Sequence, residues 1–340
     1  MKGKGFLRFV IEALAIALAV VTVVGICGSR RVFASDEQNN HVGKKWHFLY
    51  QYARQKTPVD ILVVGNSHTY TGLLPERIQE YTGKRSFLLA APGVYADDCC
   101  CMLEEALTLV KPRWVVIETY PINSYRQKKL TGQDLSDQFA SFASRRNTGL
   151  KLRSTLRLFT LENAPFAWSG TLRNHDIIFD NPKLLSYNLK HPRPPRYDPR
   201  EDYRGRFIRF TSGLTQKTLD RYVKEGPPVD GSAVRPGPDA VRAVERMKEM
   251  CRKKGIKVTF LTLPMYHDHV AGAEAWHANL MPVTGDTPWL DLQLPEYDQL
   301  FGPDCFEDTY GKNQHLTAEG AAACSWCLSQ WLGWLETNTK

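Results

Sequence analysis

Two side chains in this 340-residue sequence are suited to covalent chemistry: a serine directly after an apolar run, and a histidine directly before the last helical stretch. The serine is Ser67, within Val63-Val-Gly-Asn-Ser-His-Thr-Tyr70. An alcohol is a weak nucleophile at neutral pH until a neighbouring base takes its proton. His315, within Asn313-Gln-His-Leu-Thr-Ala-Glu-Gly-Ala321, could be that base if a carboxylate fixes its tautomer. Asp308 is the nearest acid on the approach, with Glu307 behind it. Together they would support acyl transfer through a serine ester. Each residue also has a plainer reading: Ser67 as a helix cap, and His315 as a helix-entry residue bonded to backbone.

The elements around them decide whether they can meet. Asp60-Ile-Leu-Val-Val-Gly65 reads as a buried parallel strand, followed by helix over Leu74 to Thr82. Ser86 to Ala90 is a second strand, Asp97 to Val110 a helix, and Trp114 to Glu118 a third strand. Pro238 to Lys254 has helical spacing; Lys257 to Leu263 and the weaker Trp289 to Leu292 complete five strands, and a helix spans Ala318 to Leu335. Such alternation predicts an α/β fold with a doubly wound, flavodoxin-like parallel sheet. Ser67 would then lie at the carboxyl edge, where these sheets hold ligands and where the next helix aims its N–H groups. Residues 124–237 break the pattern. Rich in Arg, Asn, Pro and aromatics, they read as an irregular insertion after the third strand, either a lid or a structural decoration.

The N-terminus is a separate unit. Ala13 to Ser29 carries no charge, and its 17 residues span roughly 25 Å as a helix, extendable through Phe6 to Ile11 with Arg8 paired to Glu12. Residues 1–31 therefore read as a transmembrane signal anchor, residues 32–57 as a tether with a short helix over Lys45 to Gln55, and residues 58–340 as the main domain. A cleaved signal peptide is the competing reading, with Val32-Phe33-Ala34 as the cleavage site. Arg30 and Arg31 stand between the apolar core and that site, which favours retention. Cations flank both ends, so charge alone barely orients the segment. Half of the formal +8 lies in residues 1–31, and the ordinary remainder argues against nucleic-acid binding. The eight cysteines, including Cys99-Cys-Cys101 and Cys324-Ser-Trp-Cys327, read as packed thiols rather than a zinc site. His267-Asp268-His269 reads as a polar loop rather than a metal site, so no metal or cofactor is expected. Tyr120, Tyr125 and Trp168 could stack on sugars or simply pack.

Gly65-Asn-Ser67-His68, Ala90-Ala-Pro-Gly93 and His315-Leu-Thr-Ala-Glu-Gly320 together resemble the first, second and last blocks of the SGNH/GDSL hydrolase superfamily. They look most like its membrane-anchored branch in bacterial envelopes. The resemblance covers roughly residues 58–123 and 238–336. It implies a serine esterase or O-acyltransferase acting on acyl esters of a cell-envelope glycan or related polymer. It also implies a single-pass membrane protein with an extracytoplasmic domain, beside a multispanning membrane acyltransferase. Ser67 would be the nucleophile, His315 the base and Asp308 its orienting acid, with an oxyanion hole from Ser67, Gly93 and Asn123. Two positions depart from the family. Lys312 stands where the aspartate usually precedes the histidine by three, and no Gly-x-Asn-Asp block follows the third strand. These departures motivate the alternative, a catalytically degenerate SGNH fold kept for binding or assembly.

Overall fold

Five short apolar runs, separated by helices, pair side by side because parallel strands need a crossover between them. In the computed structural model they are β1 (Ile61–Gly65), β2 (Ser86–Ala90), β3 (Trp114–Glu118), β4 (Lys257–Thr262) and β5 (Trp289–Asp291). The structure describes residues 2–29, 32–34, 37–123, 139, 141–192, 197–198, 200–207, 212–311 and 313–338. Lys312, Tyr125 and residues 124–138 of the expected insertion lie outside them. All four pairings are parallel, in the order β2-β1-β3-β4-β5. The chain leaves β1 for β2 on one side and returns to β3 on the other, so the carboxyl end of β1 is a topological switch point.

Helices cover both faces. Leu62, Val64, Val115 and Ile117 pack with α2 (Glu37–Gln55), α5 (Ala96–Leu109), α6 (Pro238–Lys253) and α7 (Ala273–Thr284). Ile61, Val63 and Val116 face the other way, against α4 (Pro75–Thr82) and α8 (Ala318–Asn338). Strand alternation sends neighbouring apolar residues to opposite layers, which explains why these strands read as unbroken apolar runs. All eight cysteines are free, and the seven outside α1 are buried. Here α1 (Lys2–Ser29) is the one described helix long and apolar enough to cross a membrane; its apolar stretch, Gly5–Gly28, has mean hydropathy 2.6. Arg8 and Glu12 pair along it at 2.8 Å.

The insertion is not irregular, as its composition suggested. Its described part holds helices at Thr148–Leu158, Ala164–Trp168, Gly170–Arg173, Ile177–Asp180, Pro182–Lys190 and Gln216–Glu225. The polar residues that obscured them are their caps: Asn147, Ser169 and Asn181 accept N–H bonds from Leu150, Leu172 and Leu184. A buried ion pair, Arg145 with Glu105 of α5 at 2.8 Å, ties the insertion to the core. Farther on, Arg204 O accepts the Leu88 N–H at 2.8 Å and so covers the free edge of β2.

Candidate functional site

The turn after β1 places Ser67 at the start of α3 (Ser67–Gly72), half-buried at the carboxyl edge. Asn66, not Ser67, caps this helix, its Oδ1 accepting the His68 N–H at 3.1 Å. Gly65 is required by contact: an added Cβ would lie 1.9 Å from Thr69 Oγ1 and 2.8 Å from Glu118 Cβ. The turn is thus pressed onto the end of β3. Register Gly65↔Ala90 brings the loop after β2, with exposed Gly93 at φ +57°, alongside this turn. Lys45 of α2 is buried under that loop, donating to Ala90 O at 2.7 Å and lying over the Tyr70 ring; burial holds its pKa well below the usual amine range. Asn123 follows the turn Tyr120–Ile122 after β3, and both polar atoms of its side chain are buried without a hydrogen-bond partner among the described residues.

Near the C-terminus, Phe306 and Leu316 form an antiparallel bridge, with Glu307 N–H bonded to His315 O at 2.9 Å. Residues directly opposite in such a pair share a face. Glu307 Oε2 therefore reaches the His315 ring, accepting its Nδ1–H at 2.9 Å, and its backbone N–H at 3.2 Å. A proton on Nδ1 leaves Nε2 as the basic nitrogen. Asp308, the next residue, points to the other face as strand alternation demands, where it bonds Thr215 and Thr218. Assigning Asp308 as the orienting acid is thus corrected: the carboxylate on His315 belongs to Glu307.

His68 joins the two halves. Its Nε2–H donates to Asn313 Oδ1 at 2.6 Å, its ring stacks on Tyr120 at 4.0 Å, and its centroid lies 5.1 Å from that of His315. The loop of His315 therefore packs against the start of α3, through the residue that follows the serine. Burial, aided by the neighbouring His315, pushes the His68 pKa down to about 3, so the ring is neutral and its proton stays on the nitrogen facing Asn313. Sequence signalled His68 only as the last residue of the first motif block; nothing local pointed to Asn313.

A second network steadies the histidine loop. Tyr222, from the insertion, bonds His269 Nδ1 at 2.7 Å and Thr309 O at 3.0 Å, while Gln314 Oε1 accepts the Tyr266 N–H. His269 thus turns inward, whereas His267 pairs with Asp268 on the surface. Among the described residues, no group of three His, Cys, Asp or Glu side chains could hold a metal ion. Trp168, an early candidate for sugar stacking, lies in the insertion and bonds Thr155.

Glu118 lies beneath the turn, 1% exposed, one oxygen accepting the Tyr120 N–H at 2.8 Å. The Asn66 N–H and the Thr69 hydroxyl favour its charged form, but desolvation outweighs them and pushes the pKa up to about 8. The folded state then binds a proton that the unfolded chain releases from about pH 4.5, so stability falls as pH rises towards 8 and levels off above it. Glu118→Gln should flatten the decline in Tm between those limits. A slope equal to that of the parent would show that Glu118 is ionised when folded.

No protein-family model matches the chain, and no curated protein is significantly similar to it.

Proposed function

We propose that this chain is a membrane-anchored serine esterase or O-acyltransferase of the SGNH type, acting on acyl esters of a cell-envelope glycan or related polymer. One observation carries the reading: the Glu307 carboxylate bonds His315 Nδ1, and that loop packs through His68 against the helix that Ser67 opens at the switch point of a parallel sheet.

His315 Nε2 takes the Ser67 proton as Oγ attacks the ester carbonyl, and Glu307 stabilises the resulting imidazolium. The alkoxide of the leaving group departs with that proton, leaving an acyl-Ser67 ester. Water or a sugar hydroxyl then gives its proton to His315 and attacks the acyl carbon; the bond from Ser67 Oγ to that carbon breaks, and His315 returns the proton to Oγ. The N–H groups of Ser67 and Gly93 hold the developing oxyanion, and the unpartnered Asn123 side chain is the third donor. The apolar α1 fits a single-pass anchor, with the domain outside the cytoplasm and a multispanning acyltransferase as its acyl donor.

The test is to treat the full chain in detergent with a fluorophosphonate probe and map the modified peptide. Modification at Ser67, suppressed by competing ester substrate, is the expected result. Modification elsewhere, or none, would reject the enzyme and leave the degenerate binding fold in its place.

A further inference from the structure

The insertion grips the exit of α1. Thr171 Oγ1 donates to Val24 O at 3.2 Å and lies 3.4 Å from where a Cβ on Gly28 would be. Past the helix, Asn174 Nδ2 donates to Phe33 O at 2.8 Å, and Asn188 Nδ2 to Val32 O and Ala34 O at 3.2 and 2.9 Å. Val24 sits four residues inside the end of the apolar stretch Gly5–Gly28, about 6 Å along the axis. If α1 spans a bilayer, the helix Gly170–Arg173 must enter its outermost layer, within the ~5–10 Å depth that interfacial helices reach.

The side chains around these contacts are arranged for such a medium. In Pro182–Lys190 the buried residue is the polar Asn188, while its neighbours Tyr187 and Leu189 are 56% and 60% exposed. Leu184 and Leu185 of this helix are half-buried, yet its one buried residue is polar and two large apolar side chains face outward, unlike a helix made only for water. Phe179 is 81% exposed, and Leu172, beside Thr171, is also exposed. Exposed Lys183 and Lys190 close the two ends of Pro182–Lys190, as cations do at anionic surfaces. Arg173 is turned into the protein, where it donates to the Phe166 and Ala167 carbonyls at 2.9 and 3.2 Å and anchors this segment from within.

We infer that residues 169–191 form an interfacial platform on the lipid surface around the exit of α1. Leu172, Phe179, Tyr187 and Leu189 lie in the headgroup–acyl boundary. The platform sets the height and tilt of the domain above the bilayer, which a flexible tether alone would leave free. This inference rests on α1 as a membrane span and is independent of the chemistry proposed for Ser67.

To test it, the full chain is reconstituted into nanodiscs of phosphatidylcholine and phosphatidylglycerol. A fluorescent amino acid sensitive to polarity is placed singly at Leu172, Phe179 or Leu189, with Ile16 in α1 and exposed Val223 as references. The three platform positions should be blue-shifted and quenched several-fold more than position 223 by lipids nitroxide-labelled near the headgroup. Position 16 should respond best to nitroxide at the chain end. Quenching at 16 with water-like emission at 172, 179 and 189 would overturn the platform alone. Blue-shifted emission there without lipid quenching would also overturn it, because a protein surface would then cover the face. No quenching at position 16 would overturn the anchor and the platform together.

Discussion

Glutamine in place of Glu307 is expected to lower ester turnover about 10⁴-fold, the scale seen when the orienting acid of a serine triad becomes an amide. Glu307 Oε2 accepts both the Nδ1–H and the backbone N–H of His315. An amide can preserve the shape but not the charge that stabilises the imidazolium, and its NH₂ group can hold the ring in the wrong tautomer. Asp308→Asn should change the rate by about twofold at most, as expected of a substitution away from the reacting groups that costs ~0.5 kcal/mol. Its carboxylate touches Thr215 and Thr218, not the imidazole. The comparison is kcat/KM on p-nitrophenyl acetate, normalised to the fraction of chains that react with fluorophosphonate. A larger loss from Asp308→Asn than from Glu307→Gln would return the orienting role to Asp308.

The second large effect is expected at Gly65. Alanine there would place a methyl 1.9 Å from Thr69 Oγ1 and 2.8 Å from Glu118 Cβ. Thr69 can turn aside, but the Glu118 Cβ belongs to β3 and moves only with its strand. Overpacking of this kind costs about 3 kcal/mol, which corresponds to a Tm lower by roughly 6–12 °C for a domain of this size. Gly83→Ala provides the contrast: that glycine adopts φ +68° but has open space around its Cβ position. Its cost should be ~1–2 kcal/mol, from the backbone alone. Adding Thr69→Ala to Gly65→Ala should restore part of the loss, since the two sites share one contact. Thermal unfolding decides the order, and equal losses at Gly65 and Gly83 would refute the contact argument. Folded Gly65→Ala protein should also react more slowly at Ser67, because the turn that alanine displaces sets the position of the serine.

Gly320 explains one motif glycine in the same terms. A Cβ there would lie 2.3 Å from Cys305 O, so α8 can pack against the loop of Glu307 only where this residue has no side chain. Thr317, whose Oγ1 accepts the Gly320 N–H at 3.3 Å, stands at the start of that helix.

The strands were legible to within about a residue because each is a buried apolar run bounded by glycine, proline or polar residues. α1 was legible because a long apolar segment needs no partner to be recognised. The insertion helices were obscured because each is short, and their capping residues are the same types that fill loops. Sequence separately marked Ser67 and His315 as residues able to do chemistry, and tertiary structure decided what each of them meets. The choice of Glu307 over Asp308 follows from a bridge between Phe306 and Leu316, and strand alternation gives adjacent residues opposite faces. The junction of His68 with Asn313, Tyr120 and His315 spans up to 247 positions and comes from the sheet's winding order. Local residue patterns report what a segment can form by itself; which carboxylate reaches which ring depends on contacts between segments that only the folded chain brings together.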